Sequence, residues 1–501
     1  MSRFTRRDFL RTSLAGGMAL SLPGRRSMAA PADQPVGANG DIRVAMIGLG
    51  ELGGPGVGAR GRQLIDLLRK VGGVRIVALC DVDKAILGRE MERFAGWNQR
   101  VKLYADMRQV FDADDIDAVF IATPNHWHAL ATVWACQAGK DVYVEKPASY
   151  NIWEGRQMVA AARKHNRIVQ VGTQARSLDA LAQAVEFVRS GQLGKIQYAH
   201  AVVYRRREGI GKVAGPQPVP PSVDYDQWLG PAPKTPLMRR VFHYDWHWVW
   251  PTGNGEIGNN GVHYLDRCRM FLGNPGLPRR AMSLGGRFAF DDDGQTPNTQ
   301  IAMLDGEPAP ILCEVRNLPE KPGSKKVDTF RSLTTGIIVQ CEGGYFMEGG
   351  GTVAAFDRDG QKIIAFADRR PREKQESAHQ ENFIEAVRSR KIGDLNAEIQ
   401  EGHRSAALCH MANVSYRLGE ASTGEALGEA ASSHAVLEDA LERFQRHLAA
   451  NGIDLAKTPA TLGSWVAMDA SAEEFVGDRA EEANRLSRRD YRAPYVVPEI
   501  A

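Results

Sequence analysis

The stretch from Asp117 to Pro147 constrains the fold most strongly, because its pattern describes a complete βαβ unit. It contains two short apolar runs, Ala118–Ala122 and Val142–Val144, which are rich in β-branched and aromatic residues, as buried strands are. The segment Ala129–Ala138 between them favours a helix, and Gly139 is a typical helix stop. A strand, a helix and a strand in about 30 residues predict two parallel neighbouring strands.

Polar residues follow both predicted strands at the point where each strand ends. They are Thr123, Pro124, Asn125 and His128 after the first strand, and Glu145, Lys146 and Pro147 after the second. In open α/β sheets, ligands bind outside the carboxyl ends of the strands, so we expect these side chains to converge on one crevice. The alternative is a loop with ordinary polar caps. Because two adjacent strand ends carry the pattern, we prefer the functional interpretation.

The chain upstream of this unit has the layout of a dinucleotide-binding fold. Ile42–Gly50 is an apolar strand that runs into glycines, Arg62–Lys70 is an amphipathic helix, and Val74–Cys80 is a second strand. Glycines at such a turn permit close approach of a pyrophosphate, which sits at the helix N-terminus. These elements predict an α/β, doubly wound Rossmann domain over residues 42–172.

The glycines of this turn can be assigned in two ways. A contiguous assignment uses Gly48, Gly50 and Gly53, but the sequence Gly-Pro-Gly that follows forbids an immediate helix. The other assignment treats Glu51–Gly58 as a loop insertion and makes Gly61 the third glycine. We prefer Gly48, Gly50 and Gly61.

The end of the second strand favours NAD as the cofactor. Asp81 follows Gly61 by about 20 residues, the usual distance for the acid that binds the ribose hydroxyls. A carboxylate there should repel a 2′-phosphate. Arg60 could oppose that repulsion, which leaves NADP open.

A second chemical stretch, Glu256–Asp266, lies far downstream. Its glycines precede a helix that we predict from Val262 to Phe271, which places His263 in the first helical turn. The positive end of the helix dipole should disfavour the imidazolium there and keep a neutral base available. Asp266, one turn later, could orient His263 or bind a substrate hydroxyl. Structural capping is the alternative for both residues.

Two further segments are candidate substrate contacts. Arg205, the first residue of an arginine run, could bind hydroxyls or an acid group, or could lie on a solvated edge. Trp246 and His247 belong to the aromatic segment Phe242–Trp250, whose rings could pack on sugar C–H faces or in the core. His243 and His247 are four residues apart, but no third ligand is evident, so we predict no metal site.

The N-terminus has the pattern of a twin-arginine export signal. Arg6 and Arg7 precede a mildly apolar run, Thr12–Leu22, and Ala29 and Ala30 offer small-residue cleavage points. We therefore expect a signal peptide over residues 1–30, a linker over 31–41, and a periplasmic or extracytoplasmic protein. A disordered basic tail is the alternative.

Composition and sequence pattern limit the partners and the domains that we expect for the rest of the chain. A net charge of +3 on 501 residues predicts no nucleic-acid partner, and no other stretch is apolar enough for a membrane span. Residues 173–420 should form a second, α+β domain, in which later helices pack back across the domain boundary. Residues 421–501 should form a helical and extended tail that wraps the body or a neighbouring subunit.

These motifs resemble the glucose–fructose oxidoreductase/inositol dehydrogenase (Gfo/Idh/MocA) family, in an exported branch with twin-arginine signals. The similarity covers most of the chain from Ile42 to about Gly419. It is carried by the Ile47–Gly50 turn, Cys80–Asp83, Thr123–Asn125 with His128, Glu145–Pro147, Gly172–Gln174 and Gly258–His263.

The resemblance implies a fold and roles for particular residues. The second domain should be an open, mostly antiparallel sheet with one face towards the cofactor, and an exposed sheet face would suit a homo-oligomer. Lys146 should polarise a carbinol oxygen while His263 takes the proton. The residues that would place the cofactor are Gly48, Gly50, Gly61, Asp81, Thr123, Pro124, Asn125, His128, Glu145, Lys146 and Gln174.

One position departs from the family pattern. Asn259 stands four residues before His263, where the family usually has an aspartate, so a mechanism that needs a carboxylate there is in doubt. Asn259 joins Arg205, Trp246, His247 and Asp266 as an expected substrate contact.

Three functional hypotheses follow. The first is hydride transfer between a nicotinamide and a secondary alcohol of a sugar, cyclitol or glycoside. The second is redox-neutral glycoside cleavage or sugar–sugar oxidoreduction with a tightly bound cofactor, which would suit an exported enzyme. The third is a non-catalytic sugar-binding protein with an inactive Rossmann domain. Retained Lys146 and His263 argue against the third hypothesis, whereas Asn259 mildly favours it.

Overall fold

The computed structural model describes residues 40–50, 59–432 and 434–500. Its first sheet has six parallel strands in the order β3-β2-β1-β4-β5-β6. The strands are β1 Ile42–Ile47, β2 Val74–Cys80, β3 Lys102–Tyr104, β4 Ala118–Ile121, β5 Asp141–Val144 and β6 Val169–Val171. The strand order reverses between β1 and β4, which is where doubly wound sheets bind their ligands. The predicted Rossmann fold is confirmed.

Helices cover both faces of this sheet. They are α1 Arg60–Leu68, α2 Lys84–Gly96, α3 Met107–Phe111, α4 Asn125–Gln137 and α5 Ile152–Lys164. A later helix, α9 Arg372–Ser389, also packs here, because Phe383 lies against Phe120 with ring centroids 5.3 Å apart. The strands read as continuous apolar runs because they are buried on both faces.

The second sheet has twelve strands and is mostly antiparallel, as expected; β7 and β10 are its parallel pair. Its strands are β7 Ile196–Tyr204, β8 Arg280–Gly286, β9 Thr299–Asp305, β10 Ile311–Arg316, β11 Thr335–Cys341, β12 Gly344–Gly349, β13 Thr352–Asp357, β14 Lys362–Ala365, β15 Glu420–Ser422, β16 Ala460–Leu462, β17 Val466–Asp469 and β18 Glu474–Val476.

The remaining helices flank this second sheet. They are α6 Asp179–Arg189, α7 Tyr225–Leu229, α8 Val262–Phe271, α10 Ile399–Arg417, α11 Gly424–Ala431, α12 Ala435–Ala450 and α13 Ala480–Leu486. Helices α6, α8 and α10 bury one face of the sheet. Within the described ranges, no helix is both long enough and apolar enough to cross a bilayer.

The other face of the second sheet is covered over β7 to β11, whereas the edge strand β14 is exposed. Helices α11 and α12 pack on β8, β9 and β10 through Leu427 of α11 and Phe444 of α12. Leu333 and Phe330, from the segment before β11, pack on β7 and β11. The same strands alternate residues between the two cores, as a pleated sheet requires.

The C-terminal tail contacts both domains. Strands β16 and β17 pair with β8. The last residues return to the Rossmann domain, where the Tyr495 ring lies 5.5 Å from that of Trp127. Arg492 bonds to Asp226 on helix α7 of the second domain. The expected signal peptide and linker, except residues 40 and 41, lie outside the described residues.

Candidate active site

A cavity of about 360 Å³ lies between the Rossmann strand ends and the second domain. Most predicted site residues line it. On the Rossmann side these are Gly48, Gly50, Asp81, Thr123, Pro124, Asn125, His128, Glu145, Lys146 and Gln174; on the other side they are Arg205, Trp246, His247, Asn259 and His263. Gly61 and Asp266 do not line it.

The glycine turn has the shape that a dinucleotide needs. Gly48 and Gly50 have positive φ values of 81° and 76°, which glycine adopts without strain. A Cβ on Gly61 would lie 1.9 Å from the Gly48 carbonyl oxygen, so the helix packs against the strand only because residue 61 is glycine. This is the role of a third fingerprint glycine. Gly53 and the rest of residues 51–58 lie outside the described residues.

Asp81 is held at the end of β2 by the backbone. Its two carboxylate oxygens accept bonds from the amides of Leu49 and Asp83, at 2.8 and 2.9 Å. Burial raises the pKa of this carboxyl, while the two amide bonds oppose the rise. Arg60, which the sequence left as a 2′-phosphate contact, donates instead to Glu145 Oε1 at 2.8 Å. The geometry therefore fits NAD.

The polar residues after β4 and β6 take different roles. Thr123 lines the cavity, and its buried hydroxyl has no hydrogen-bond partner among the described residues. Asn125 donates to Asn254 Oδ1 at 2.9 Å and so joins the two domains. Gln174 donates to Glu145 Oε1 at 3.3 Å.

His128 lines the cavity and also connects the two strand ends. Its Nδ1 lies 2.7 Å from the Pro147 carbonyl oxygen, and its Nε2 lies 2.8 Å from that of Thr123. Both ring nitrogens are thus engaged by backbone. The imidazole holds the segments after β4 and β5 together.

Lys146 is the central cation of the cavity. Its Nζ donates to the backbone carbonyl of Asn259 at 2.7 Å and lies 3.4 Å from the Asn259 side-chain oxygen. Burial lowers the pKa of Lys146 to about 8, although the nearby Glu145 carboxylate opposes the shift. A lysine with this pKa can exchange a proton near neutrality.

His263 lines the same cavity, but the predicted cause of its neutrality is wrong. Helix α8 continues without a break from a wider, π-helical turn at Ile257–Gly261, and residues from 255 onwards are already helical. His263 is therefore not in a first turn. The pKa of His263 lies well below its usual value because the ring is buried and Lys146 is nearby. A neutral imidazole remains available.

Asp266 is a structural residue, which corrects its predicted roles. It is fully buried, and its carboxylate accepts from Arg176 Nε at 2.8 Å and from the Ser405 hydroxyl at 2.7 Å. The ion pair ties helix α8 to the segment after β6 and to α10.

The aromatic segment both lines the cavity and forms core. Trp246 is 8% exposed and packs with Trp228 and Phe242. Its ring stacks on that of His247 with centroids 3.6 Å apart, and burial lowers the pKa of His247 to about 3. Within the described ranges, no group of three His, Cys, Asp or Glu side chains could hold a metal.

An ion pair at the substrate side of the cavity was not predicted from the sequence. Arg207 donates to both carboxylate oxygens of Glu256 at 3.1 Å and to the Tyr244 hydroxyl at 2.9 Å. Glu256 is buried, and it also accepts from the amide of Asn260. In the sequence, the only signals for this pair are the arginine run that contains Arg207 and the acid, Glu256, that precedes the helix.

Two family models match the chain. The model described as an oxidoreductase family with an NAD-binding Rossmann fold (GFO_IDH_MocA) matches residues 42–173, and the model for its C-terminal alpha/beta domain matches residues 204–280. Residues 42–173 therefore match the NAD-binding Rossmann domain of this oxidoreductase family, in agreement with the fold and the glycine turn, and residues 204–280 match its C-terminal domain.

Curated relatives are similar over part of the chain. Glycosyl hydrolase family 109 proteins of Solibacter usitatus and Saccharopolyspora erythraea are 34% identical over 179 residues and 32% identical over 220 residues. These matches cover 33% and 41% of this chain, and 38% and 47% of the relatives. A 2,7-anhydro-N-acetylneuraminate hydratase of Mediterraneibacter gnavus is 25% identical over 147 residues, which are 29% of this chain and 37% of that protein. The chain thus spans less than half the length of each.

Solved structures share the two-domain fold. The aldose-aldose oxidoreductase from Caulobacter crescentus, complexed with glycerol, has a TM-score of 0.54 at 17% identity, over 74% of this chain and 97% of that chain. The WlbA dehydrogenase from Bordetella pertussis, in complex with NADH and UDP-GlcNAcA, has a TM-score of 0.52 at 19% identity, over 74% and 95%. At these identities the likeness concerns the fold alone.

Proposed function

We propose that this protein transfers hydride between NAD and a secondary alcohol of a sugar, cyclitol or glycoside. One observation carries the proposal. Lys146, with a pKa of about 8, and the neutral His263 face the same cavity as Asp81 and Glu145 of the Rossmann domain. Proton exchange can therefore occur beside the cofactor site.

The residues divide the work at the reacting oxygen. Bound NAD supplies the hydride acceptor. Lys146 hydrogen-bonds to the carbinol oxygen and stabilises the negative charge that develops there, while His263 accepts the proton. Asn259 fixes the lysine through its carbonyl oxygen. Thr123 offers an unpaired hydroxyl, and the buried Trp246 edge offers an apolar surface to a sugar ring.

A second candidate reaction is redox-neutral. The names of the glycosyl hydrolase and hydratase relatives favour a cycle in which an oxidised sugar eliminates a group, adds water and is reduced again. Glu145 and Glu256 line or border the cavity, but each is paired with an arginine, which disfavours a direct two-carboxylate hydrolysis. Free aglycone without an added electron acceptor would support this cycle, whereas a lasting keto sugar would support the dehydrogenase.

The place of action forms part of the proposal. The twin arginines and the apolar run after them support export of the folded protein, and export would favour a cofactor that stays bound. Replacing Arg6 and Arg7 by lysine should retain the protein in the cytoplasm. If fractionation finds the variant exported like the wild type, this route is excluded.

We also propose a homo-oligomer, which must use surface other than the covered part of the second sheet. The edge strand β14 exposes Ile363 and Ile364 by 51% and 39% and is a candidate contact. Light scattering at several concentrations measures the assembly. A single monomeric mass throughout would reject it.

The first experiment identifies the nucleotide in protein purified without added cofactor. Stoichiometric NAD or NADH would support an enzyme that carries its cofactor, and glycosides should then be tested for redox-neutral turnover. An empty site that binds added NAD would support an ordinary dehydrogenase. A site that binds sugar but neither NAD nor NADP would reject the oxidoreductase and favour a binding protein.

A further inference from the structure

The charged side chains at the substrate end of the cavity are paired, with two exceptions. Arg60 pairs with Glu145 at 2.8 Å, and Arg207 pairs with Glu256 at 3.1 Å. Arg205 also lines the cavity and is exposed, yet it makes no ion pair with a carboxylate of the described residues. Each available carboxylate at this end is thus already matched by another arginine.

The surroundings of Arg205 hold its backbone and leave its guanidinium available. Its amide donates to the Arg316 carbonyl at 2.9 Å, and its carbonyl accepts from Asn317 at 2.8 Å. The guanidinium has one long contact, 3.4 Å from Nη1 to Asn260 Oδ1. The backbone therefore holds Arg205 at the rim of the cavity, and its planar guanidinium has donors left to bind a ligand.

Lys146 adds a second positive charge without a carboxylate partner. Its Nζ bonds to the neutral Asn259 backbone carbonyl and lies 3.4 Å from the neutral Asn259 side-chain oxygen. The substrate end therefore presents two cations that a ligand could neutralise, and carboxylates match the guanidinium fork by two parallel hydrogen bonds.

We propose that the substrate carries a carboxylate, as a uronic acid or its glycoside does, and that Arg205 binds this group. The inference rests on the proposed function, because it assumes that the carbinol to be oxidised lies at Lys146 and His263. Arg205 then sets specificity for acidic over neutral sugars, and Asn260 orients its guanidinium.

Arg206 supplies a matched control. It is the next residue, it is exposed, and it pairs with Glu208 at 2.6 Å rather than lining the cavity. Replacing either arginine by glutamine removes one positive charge from the same segment. Only Arg205→Gln should alter recognition of an acid group.

The test compares methyl β-D-glucuronide with methyl β-D-glucoside on the NAD-loaded protein. The wild type should prefer the glucuronide by about 10- to 100-fold in kcat/KM, the range for one charge-assisted contact. Arg205→Gln should remove most of this preference through KM, whereas Arg206→Gln should keep it. Calorimetry with D-glucuronate and D-glucose gives a readout that does not need turnover.

The outcomes separate the two proposals. Glucuronate binding that Arg205→Gln abolishes, without turnover of any sugar, would support the carboxylate site and reject the oxidoreductase. Turnover of the neutral glycoside as fast as the acidic one, unchanged in Arg205→Gln, would overturn the carboxylate site and leave the oxidoreductase standing.

Discussion

Two regions of this protein bury charged side chains, and they use them in opposite ways. The first is the cavity with Lys146 and His263. The second, here the Glu314 cluster, lies between the second sheet and helix α12 and consists of His200, Tyr204, Glu314, Arg316, Asp328, Arg443 and His447.

The Glu314 cluster satisfies its central charge completely. Glu314 accepts from Tyr204 at 2.7 Å, from Arg316 at 2.9 Å and from Arg443 at 2.5 Å, and His200 Nε2 lies 3.0 Å away. These cations hold the pKa of Glu314 well below its usual value even though burial opposes the shift. Its role is to attach α12 to the sheet.

The cavity leaves its central charge under-paired. Lys146 has a neutral carbonyl as its closest partner, and burial lowers its pKa to about 8. Both regions therefore contain strongly shifted pKa values. What distinguishes a functional group is a shifted pKa together with a missing partner and a cavity in front of it.

The largest expected effect is on activity at Lys146. Lys146→Met keeps the side-chain length but removes the proton and the charge, so kcat/KM should fall by about 10²- to 10⁴-fold, the usual contribution of a positioned acid–base group. Steady-state kinetics with saturating NAD measures it. The exposed Lys102→Met serves as control, and undiminished turnover of folded Lys146→Met would reject the assignment.

Glu314→Ala should lower the stability and keep the activity, the opposite of what we expect at Lys146. It leaves Arg316 and Arg443 buried without their carboxylate, which should cost about 3–5 kcal/mol of unfolding free energy. Denaturant unfolding measures the loss, and Glu442→Gln on the exposed side of α12 is the control. Activity per folded molecule should persist, because the cluster does not line the cavity. A catalytic defect without destabilisation would contradict this separation.

The stability of Lys146→Met should rise rather than fall. The folded state lowers the lysine pKa from about 10.4 to about 8, so the folded protein binds fewer protons between these pH values and is destabilised most below pH 8. Removing the ammonium should therefore stabilise the protein by about 1–2 kcal/mol at pH 7 and by little at pH 10.5. Thermal unfolding at both pH values measures the gain. Equal effects at both pH values would show that Lys146 is not the titrating group.

The smallest expected effect is a pH shift in Asn259→Asp. The side-chain oxygen of Asn259 lies 3.4 Å from Lys146 Nζ, and a carboxylate there favours the ammonium. The inflection in kcat/KM near pH 8 should move up by about one unit. Pre-steady-state pH profiles of both proteins measure the shift. If the inflection in kcat/KM stays at the same pH in Asn259→Asp, a group other than Lys146 causes it.

Much of the fold and part of the site could be predicted from local pattern. The parallel strands around Asp117–Pro147 followed from apolar runs, and the polar residues at their ends lie together because parallel strands end on one edge. Gly61 could be chosen over Gly53 because a Gly-Pro-Gly sequence cannot start a helix.

Other features depended on partners far away in the chain. The sequence offers Asp266 as a residue that orients His263 or binds a hydroxyl, but its ion-pair partner, Arg176, is 90 residues away. The glycines before His263 predict a helix start there. In the structure the helix continues through these glycines as a π-helical turn. Which face of the second sheet is covered depends on α12, more than 100 residues after β10.

The sequence by itself determined the dinucleotide turn and the βαβ order, because these follow from backbone preference and short-range periodicity. It singled out Lys146 and His263 as candidates through a polar strand end and a family resemblance. Only the tertiary structure decided which charges are paired. It joined Arg207 to Glu256, Arg60 to Glu145 and Asp266 to Arg176, and it left Arg205 and Lys146 without a carboxylate among the described residues. The reason is physical, because pairing depends on through-space distance and burial, which no local spacing encodes.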